Sequence, residues 1–302
     1  MSQTASTIGA FIAAYRAERQ LSLQDLAGGT ELNTQRLSQI EAGDPSTNVT
    51  DLTAIAAFFK MPFSTLIGMA HTVPGGSQPP VTNANFFRQG VPLPDGLTAN
   101  YLKTAVDLTQ KVIHQMNRNM ITNVGSPLQK LIQGNNFSGL VSNVLSNSMD
   151  QCTPYKHNHH QKYPDLLNPN ANGGAGDGLE IKVTIQHTKG GESHNGHSGW
   201  HMIACYTFLP DGDVQFVNLM FANLVAHGLQ GEDWTYVGSN KNAKTGSQRT
   251  ETYNTTGQGT TKLRDGSAYL DPNYIDFSKW RQNRIGSVPA WSIFAPPPAT
   301  SI

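Results

Sequence analysis

The spacing of apolar positions changes twice along the chain. Between residues 7 and 69, Leu26, Ala27, Leu32, Leu37 and Ile40 fall on one side of two short crossed helices. Ser22, followed by Asp25, can cap the first, over residues 22–27, and Asn33 the second, over 34–42, which ends at Gly43. A further helix over 49–59 and a short one beyond Pro62 close an all-helical module. Residues 71–83 (His-Thr-Val-Pro-Gly-Gly-Ser-Gln-Pro-Pro-Val-Thr-Asn) read as a linker, with Gly for freedom and Pro for extension. Over 98–120 the stripe Leu102, Ala105, Val106, Leu108, Val112, Ile113, Met116 and Met120 predicts a long amphipathic helix whose apolar face is core packing. Residues 127–132 and 137–149 are shorter helical candidates. From Tyr163 the period becomes two. Strands are expected over 179–186, 201–209 and 214–220, the last two forming an antiparallel hairpin through Pro210-Asp211-Gly212-Asp213. The expectation is an α/β fold in which a mixed sheet flanked by helices follows a helical domain, divided as 1–70, a 71–84 linker and 85–302.

Composition changes this picture little. The chain has 302 residues, 14% charged, and a formal net charge of zero, so no global electrostatic signature marks a nucleic-acid partner. Locally, Lys241, Lys244, Arg249, Lys262 and Arg264 face only Glu251, and Lys279, Arg281 and Arg284 follow. Localised basic charge of this kind suits phosphate contacts, and Lys241, Lys244 and Arg249 are the candidates for them. Cys152 and Cys205 stand far apart without CxxC spacing, which argues against a zinc finger or a disulfide framework. The first residues lack a secretory signal, and no apolar run approaches the ~20 residues that span a bilayer. A soluble, cytoplasmic chain is expected.

The residues richest in chemistry are Tyr163-Pro164-Asp165 and, fifteen positions after Asp165, Glu180-Ile181-Lys182 at the head of an apolar strand. Side chains on a strand repeat every two residues, so Glu180 and Lys182 share a face, and Asp165 must join them from a neighbouring element. Two carboxylates with waters and a substrate phosphate suit magnesium, which seldom takes an all-protein cage. A solvated edge-strand face would carry the same residue types. The arrangement resembles the PD-(D/E)xK nuclease superfamily, specifically type II restriction endonucleases, over roughly residues 125–285. The resemblance implies a nuclease core and a homodimer that cuts double-stranded DNA with Mg²⁺. Asp165 and Glu180 would then be ligands, the Ile181 carbonyl a further one, and Lys182 would act beside the attacking water. Two other readings stay open: a transcriptional regulator with a non-catalytic C-terminal domain, and a modification-dependent or repair nuclease of the same superfamily.

The string Leu21-Ser22-Leu23-Gln24-Asp25-Leu26-Ala27 with Leu37-Ser38-Gln39-Ile40-Glu41-Ala42-Gly43 resembles the Cro/repressor-type helix-turn-helix. That resemblance implies that Thr34, Gln35, Ser38 and Gln39 face the major groove. Leu23 stands where a Gln is common, and Glu31 stands at the turn Gly, where a left-handed backbone would be costly. Residues 1–70 carry four Lys/Arg against six Asp/Glu, a net charge of −2, so a bundle used for dimerisation is the alternative.

Eight of the ten histidines lie between His157 and His227. His157, His159 and His160 precede Asp165, and His194, His197 and His201 surround a Gly/Ser loop. They admit a metal site, a DNA contact or a structural role; in the DNA reading, Asn195 and His197 offer donors and acceptors to base edges. Gln186, four residues after Lys182, is expected on the same strand face, either orienting the cluster or satisfied as a core amide.

Overall fold

The computed structural model describes residues 3–72, 78–158, 163–168, 178–187, 190–194, 196–241 and 248–295. It is a mixed α/β structure, with a helical N-terminal region followed by a mixed sheet with helices. The chain divides into two compact units that are both discontinuous in sequence. The first comprises residues 1–81, 107–137 and 207–215, the second 82–106, 138–206 and 216–302.

The N-terminal region contains α1 (Gln3–Glu18), α2 (Leu23–Gly28), α3 (Thr34–Glu41), α4 (Val49–Phe58) and α5 (Phe63–Thr72). The boundaries follow from the caps. Ser22 and Asp25 form a reciprocal capping box on α2, Asn33 accepts from the Arg36 N–H on α3, and Asn48 with Asp51 repeats the box on α4. Ile8, Ile12, Leu26, Leu37, Ile40, Leu52, Ile55 and Leu66 are buried together, and Ile121 joins them. At Gly9 a Cβ would stand 2.3 Å from the Ile40 carbonyl oxygen, so only glycine allows α1 to come this close to α3. Arg16 clamps the same pair of helices by donating to both Glu41 oxygens at 2.7 and 2.8 Å. The turn between α2 and α3 departs from expectation. Left-handed non-glycine backbone occurs at Gln20 and Lys60, so Glu31 carries no such strain.

Further along lie α6 (Ala99–Val124), α7 (Leu128–Leu131) and α8 (Gly134–Cys152), then β1 (Lys156–His157), β2 (Leu166–Leu167), β3 (Gly178–Thr184), β4 (Glu192–His194), β5 (Gly199–Phe208) and β6 (Val214–Leu224). Next come β7 (Trp234–Lys241), β8 (Gln248–Thr255), α9 (Gly257–Asp265), β9 (Ser267–Leu270) and α10 (Phe277–Gln282). The larger sheet has the order β1-β2-β3-β5-β6-β9, and β4-β8-β7 form a second, three-stranded sheet. β2 runs antiparallel to β3, and β3 parallel to β5. The chain leaves β3, contributes β4 to the small sheet and returns as β5. Ile203, Cys205, Met220, Trp234, Leu263 and Trp280 pack into one core of the second unit.

One expectation about the strands needs correction. β3 ends at Thr184, where the Thr184 hydroxyl accepts the Gln186 N–H, and Gln186 is exposed beyond the strand. It is neither a core amide nor on the face of Glu180 and Lys182. Within the basic stretch from Lys241 to Arg264, the described residues form the end of β7, β8 and most of α9. Lys262 is bound to the buried Asp233 at 2.6 Å, and the Arg264 guanidinium lies over the Trp280 ring, 5.3 Å from its centre. No helix among the described residues is long and apolar enough to cross a membrane.

Candidate functional site

Asp165 immediately precedes β2, and the pairing of Leu166 with Leu179 sets it opposite Glu180. β2 is too short to satisfy the next strand amide, and the Asp165 side chain does so instead: the Ile181 N–H donates to Asp165 Oδ2 at 2.8 Å. The Asp165 N–H reaches Glu180 Oε2 at 3.3 Å, and Lys182 Nζ donates to Glu180 Oε1 at 2.5 Å. The three side chains that the sequence singles out are therefore brought together. β2 covers β3 only at Gly178 and Leu179, yet Glu180 is not solvated, being only 8% exposed, while the Lys182 side chain is about one-third exposed.

Burial first, then the charge of Glu180, raises the Asp165 pKa, against the opposing pull of the Ile181 N–H, Lys182 and His157. Two carboxylates share one ammonium, so the cluster keeps an excess of negative charge that a cation would relieve. Among the described residues no three His, Cys, Asp or Glu side chains are grouped to hold a metal ion. Asp165 and Glu180 are the two carboxylates of the cluster.

Aromatic rings and histidines wall this cluster. The Tyr163 hydroxyl donates to the Ser198 carbonyl at 2.5 Å, and its ring lies 4.2 Å from that of His197. Burial, then the charges of Glu180 and Asp165, pushes the Tyr163 phenol above its ordinary range, so it stays protonated. The His197 carbonyl accepts from Trp234 Nε1 at 3.0 Å. His201, the register partner of Glu180 on β5, is completely buried. Its Nδ1 lies 2.9 Å from the Gly199 carbonyl, which can only accept, so this nitrogen carries the proton. Nε2 has no hydrogen-bond partner among the described residues. Tyr163 and Trp234 have no function in the sequence reading; a bulky aromatic two residues before a candidate acid was the one signal that pointed to the first.

Burial, assisted by Lys182 and His197, holds His201 down at about 4. The sign follows from proton counts: between about pH 4 and 6.5 the unfolded histidine binds a proton that the folded one does not. Stability contributed by neutral burial is present above pH 6.5 and is lost as pH falls towards 4, by an amount on the order of 3 kcal/mol. We expect His201→Gln to flatten the acid limb of a stability–pH curve measured by urea unfolding; an unchanged acid limb would refute this assignment.

The remaining site candidates are spread more widely. His157 sits on β1, opposite Leu166, and His194 on β4. Lys241 is the last residue of β7, and Arg249 lies in β8. His159, His160, Asn195 and Lys244 lie outside the described residues.

On α3 the polar candidates lie where the motif requires. Thr34, Gln35, Ser38 and Gln39 are all exposed, while Leu37 and Ile40 turn into the core. Arg36, the one cation of this helix, is directed elsewhere and bonds Asp44 at 2.7 Å, Asp51 at 2.6 Å and the Ser46 carbonyl at 2.9 Å. The helix-turn-helix family HTH_3 matches residues 12–66. The N-terminal region is a helix-turn-helix domain. No curated protein and no solved structure matches the chain. This domain supports binding of double-stranded DNA, with α3 as its recognition helix. Arg16 and Arg36 are bound to carboxylates within the domain, Glu41 for the first and Asp44 and Asp51 for the second. Gln35→Ala and Gln39→Ala should each lower affinity for a preferred duplex by about 1–3 kcal/mol in fluorescence anisotropy without changing stability. Arg36→Ala should instead destabilise the domain, since it strips Asp44 and Asp51 of their partner. A loss of DNA affinity in Arg36→Ala at unchanged stability would reverse that division of roles.

Proposed function

We propose that the protein is a DNA-binding hydrolase in which the cluster Asp165, Glu180 and Lys182 cuts phosphodiester bonds in double-stranded DNA, as a type II restriction endonuclease does. The observation behind the reading is the convergence of two carboxylates and an ammonium on β2 and β3, with Lys182 2.5 Å from Glu180 and about one-third exposed. Asp165 and Glu180, with the Ile181 carbonyl, would hold Mg²⁺. The ion supplies Lewis-acid polarisation of a phosphoryl oxygen and of its water. Lys182 sits where it can donate to a phosphate oxygen and stabilise developing negative charge, or orient the attacking water. Asp165 accepts the Ile181 N–H of β3, so loss of its side chain perturbs both the ligand set and the strand. Lys241, Lys244, Arg249, Asn195 and His197 belong to this reading as contacts to the duplex. A homodimer would present two such clusters to the two strands of a palindrome.

The test is incubation of the purified chain with plasmid and phage DNA in Mg²⁺, Mn²⁺, Ca²⁺ or chelator. Cleavage in Mg²⁺ or Mn²⁺, absent with chelator, is the expected result. Site-specific binding with no cutting under any metal would favour the second reading, a transcriptional regulator, which the match over residues 12–66 supports. Cutting confined to methylated substrate would make it a modification-dependent nuclease.

A further inference from the structure

We propose that a cavity in the second unit, separate from the carboxylate cluster, binds a single nucleobase by stacking it on tryptophan. The cavity, about 220 Å³, is lined by Trp200, Phe221, Asn223, Lys262, Asp265 and Trp291. Trp200 adjoins His201 on β5, and alternation along the strand turns the two side chains to opposite faces, so Trp200 does not belong to the cluster of Asp165, Glu180 and Lys182.

The walls are held in place by contacts that need no ligand. Trp200 is in register with Leu179 on the neighbouring strand, and the Phe221 N–H donates to the Gly266 carbonyl at 2.8 Å. The Trp291 carbonyl accepts from Arg88, whose guanidinium also donates to the Ser267 carbonyl at 2.8 Å. Asp265 accepts from Arg284 at 2.8 and 3.1 Å and from Ser292 at 2.6 Å. Lys262 is bound to Asp233 at 2.6 Å. The two charged lining residues are therefore committed inside the fold, and the exposed Asn223 carboxamide is left to meet a ligand.

These features select the ligand class. Two tryptophans in the lining favour a flat π-system, to which stacking contributes whatever the base. A single carboxamide offers one donor edge and one acceptor edge, the pairing that reads a base. A sugar would require many more uncommitted polar groups for its hydroxyls. The volume falls below the ~300–1,000 Å³ of sites for drug-sized ligands and suits one heteroaromatic unit. The base could arrive as a free nucleotide or be extruded from the duplex to which the helix-turn-helix binds.

Full-length protein titrated with each free nucleoside, reading tryptophan fluorescence, tests the first source. Anisotropy with duplexes carrying an intact, mismatched or abasic position tests the second. We expect at least one base to quench the wild type, or a mismatched or abasic position to tighten or weaken duplex binding. In either arm Trp200→Leu and Trp291→Leu should each weaken the interaction about tenfold or more, the size of a lost stack. Asn223→Ala, an exposed position that folding does not require, should keep binding but erase the preference among bases. The proposal is overturned if no nucleoside binds and duplex affinity is indifferent to all three substitutions in folded protein, or if a monosaccharide quenches where bases do not. Neither arm measures cutting, so a failure here leaves the nuclease reading intact, and absence of cutting leaves this one intact.

Discussion

Asp165→Asn and Glu180→Gln are each expected to lose at least ~10² of DNA-cleavage rate while duplex binding is retained. Both substitutions keep the shape of the side chain and remove one negative charge from a pair whose proximity already raises the Asp165 pKa. The donor set for a divalent ion falls from two carboxylates to one, and the surviving Lys182 ammonium then repels the ion with less opposition. Calorimetric titration with Mn²⁺ should show the loss directly, independent of turnover. Asp165→Asn carries an additional local effect, because Oδ2 holds the Ile181 N–H at 2.8 Å and a misoriented amide would leave that strand group unpaired. Lys182→Met should lose ~10²–10³ in rate and yet bind the ion at least as tightly, since the competing ammonium at 2.5 Å from Glu180 is gone. Near wild-type cutting by Asp165→Asn or Glu180→Gln would sink the assignment.

The parts of this site that could be read from the chain are those set by local rules. Period-two alternation put Glu180 and Lys182 on one face, and capping residues at Ser22 and Asn33 fixed the starts of α2 and α3. The approach of Asp165 was a requirement of the chemistry that the register of β2 on β3 meets. What escaped the sequence reading was structure built from polar residues. Residues 234–255 are rich in Thr, Ser, Asn and Gln, and among the described side chains there Trp234 and Tyr253 carry burial into the core. That is why no strands are expected there from the alternation. Gln186 was misplaced for the reverse reason: Ile185 and Gln186 continue the alternation after β3 has left its neighbours, and period alone does not show where pairing stops.

The same blindness hid a buried polar network of the first unit, and its removal is the second large effect expected. α6 was read as an apolar stripe, yet His114, Asn117 and Arg118 on it converge on the turn between β5 and β6. Asp211 and Asp213 in that turn are completely buried. Asp213 takes His114 Nδ1 at 2.5 Å, Asn117 Nδ2 at 2.7 Å and Arg118 at 3.2 Å, while Arg118 also reaches Asp211 at 2.9 Å. Burial alone would raise the Asp213 pKa, but His114, Arg118 and Asn117 outweigh it and hold the carboxylate ionised. Burial and the charge of Asp213 push Asp211 up to about 7. The two acids are therefore not equivalent: Asp213 is the anion of the network, and Asp211 bears a proton readily. Asp213→Ala should cost about 3–5 kcal/mol, the usual penalty for removing one member of a buried ion-paired and hydrogen-bonded network, since His114 and Asn117 lose their acceptor and Arg118 one of its two carboxylates. Asp211→Asn, which mimics the protonated acid, should cost no more than about 1.5 kcal/mol. Asp150→Ala, breaking a 3.3 Å pair with the well-exposed Lys156, should stay within about 1 kcal/mol. Because the folded Asp213 pKa is depressed, its contribution is present at neutral pH and lost as pH falls through the folded value, a limb that Asp213→Ala should lack. Urea unfolding of the three variants ranks them, and equal costs for Asp213→Ala and Asp211→Asn would show that the charge is shared between the two acids rather than held on one.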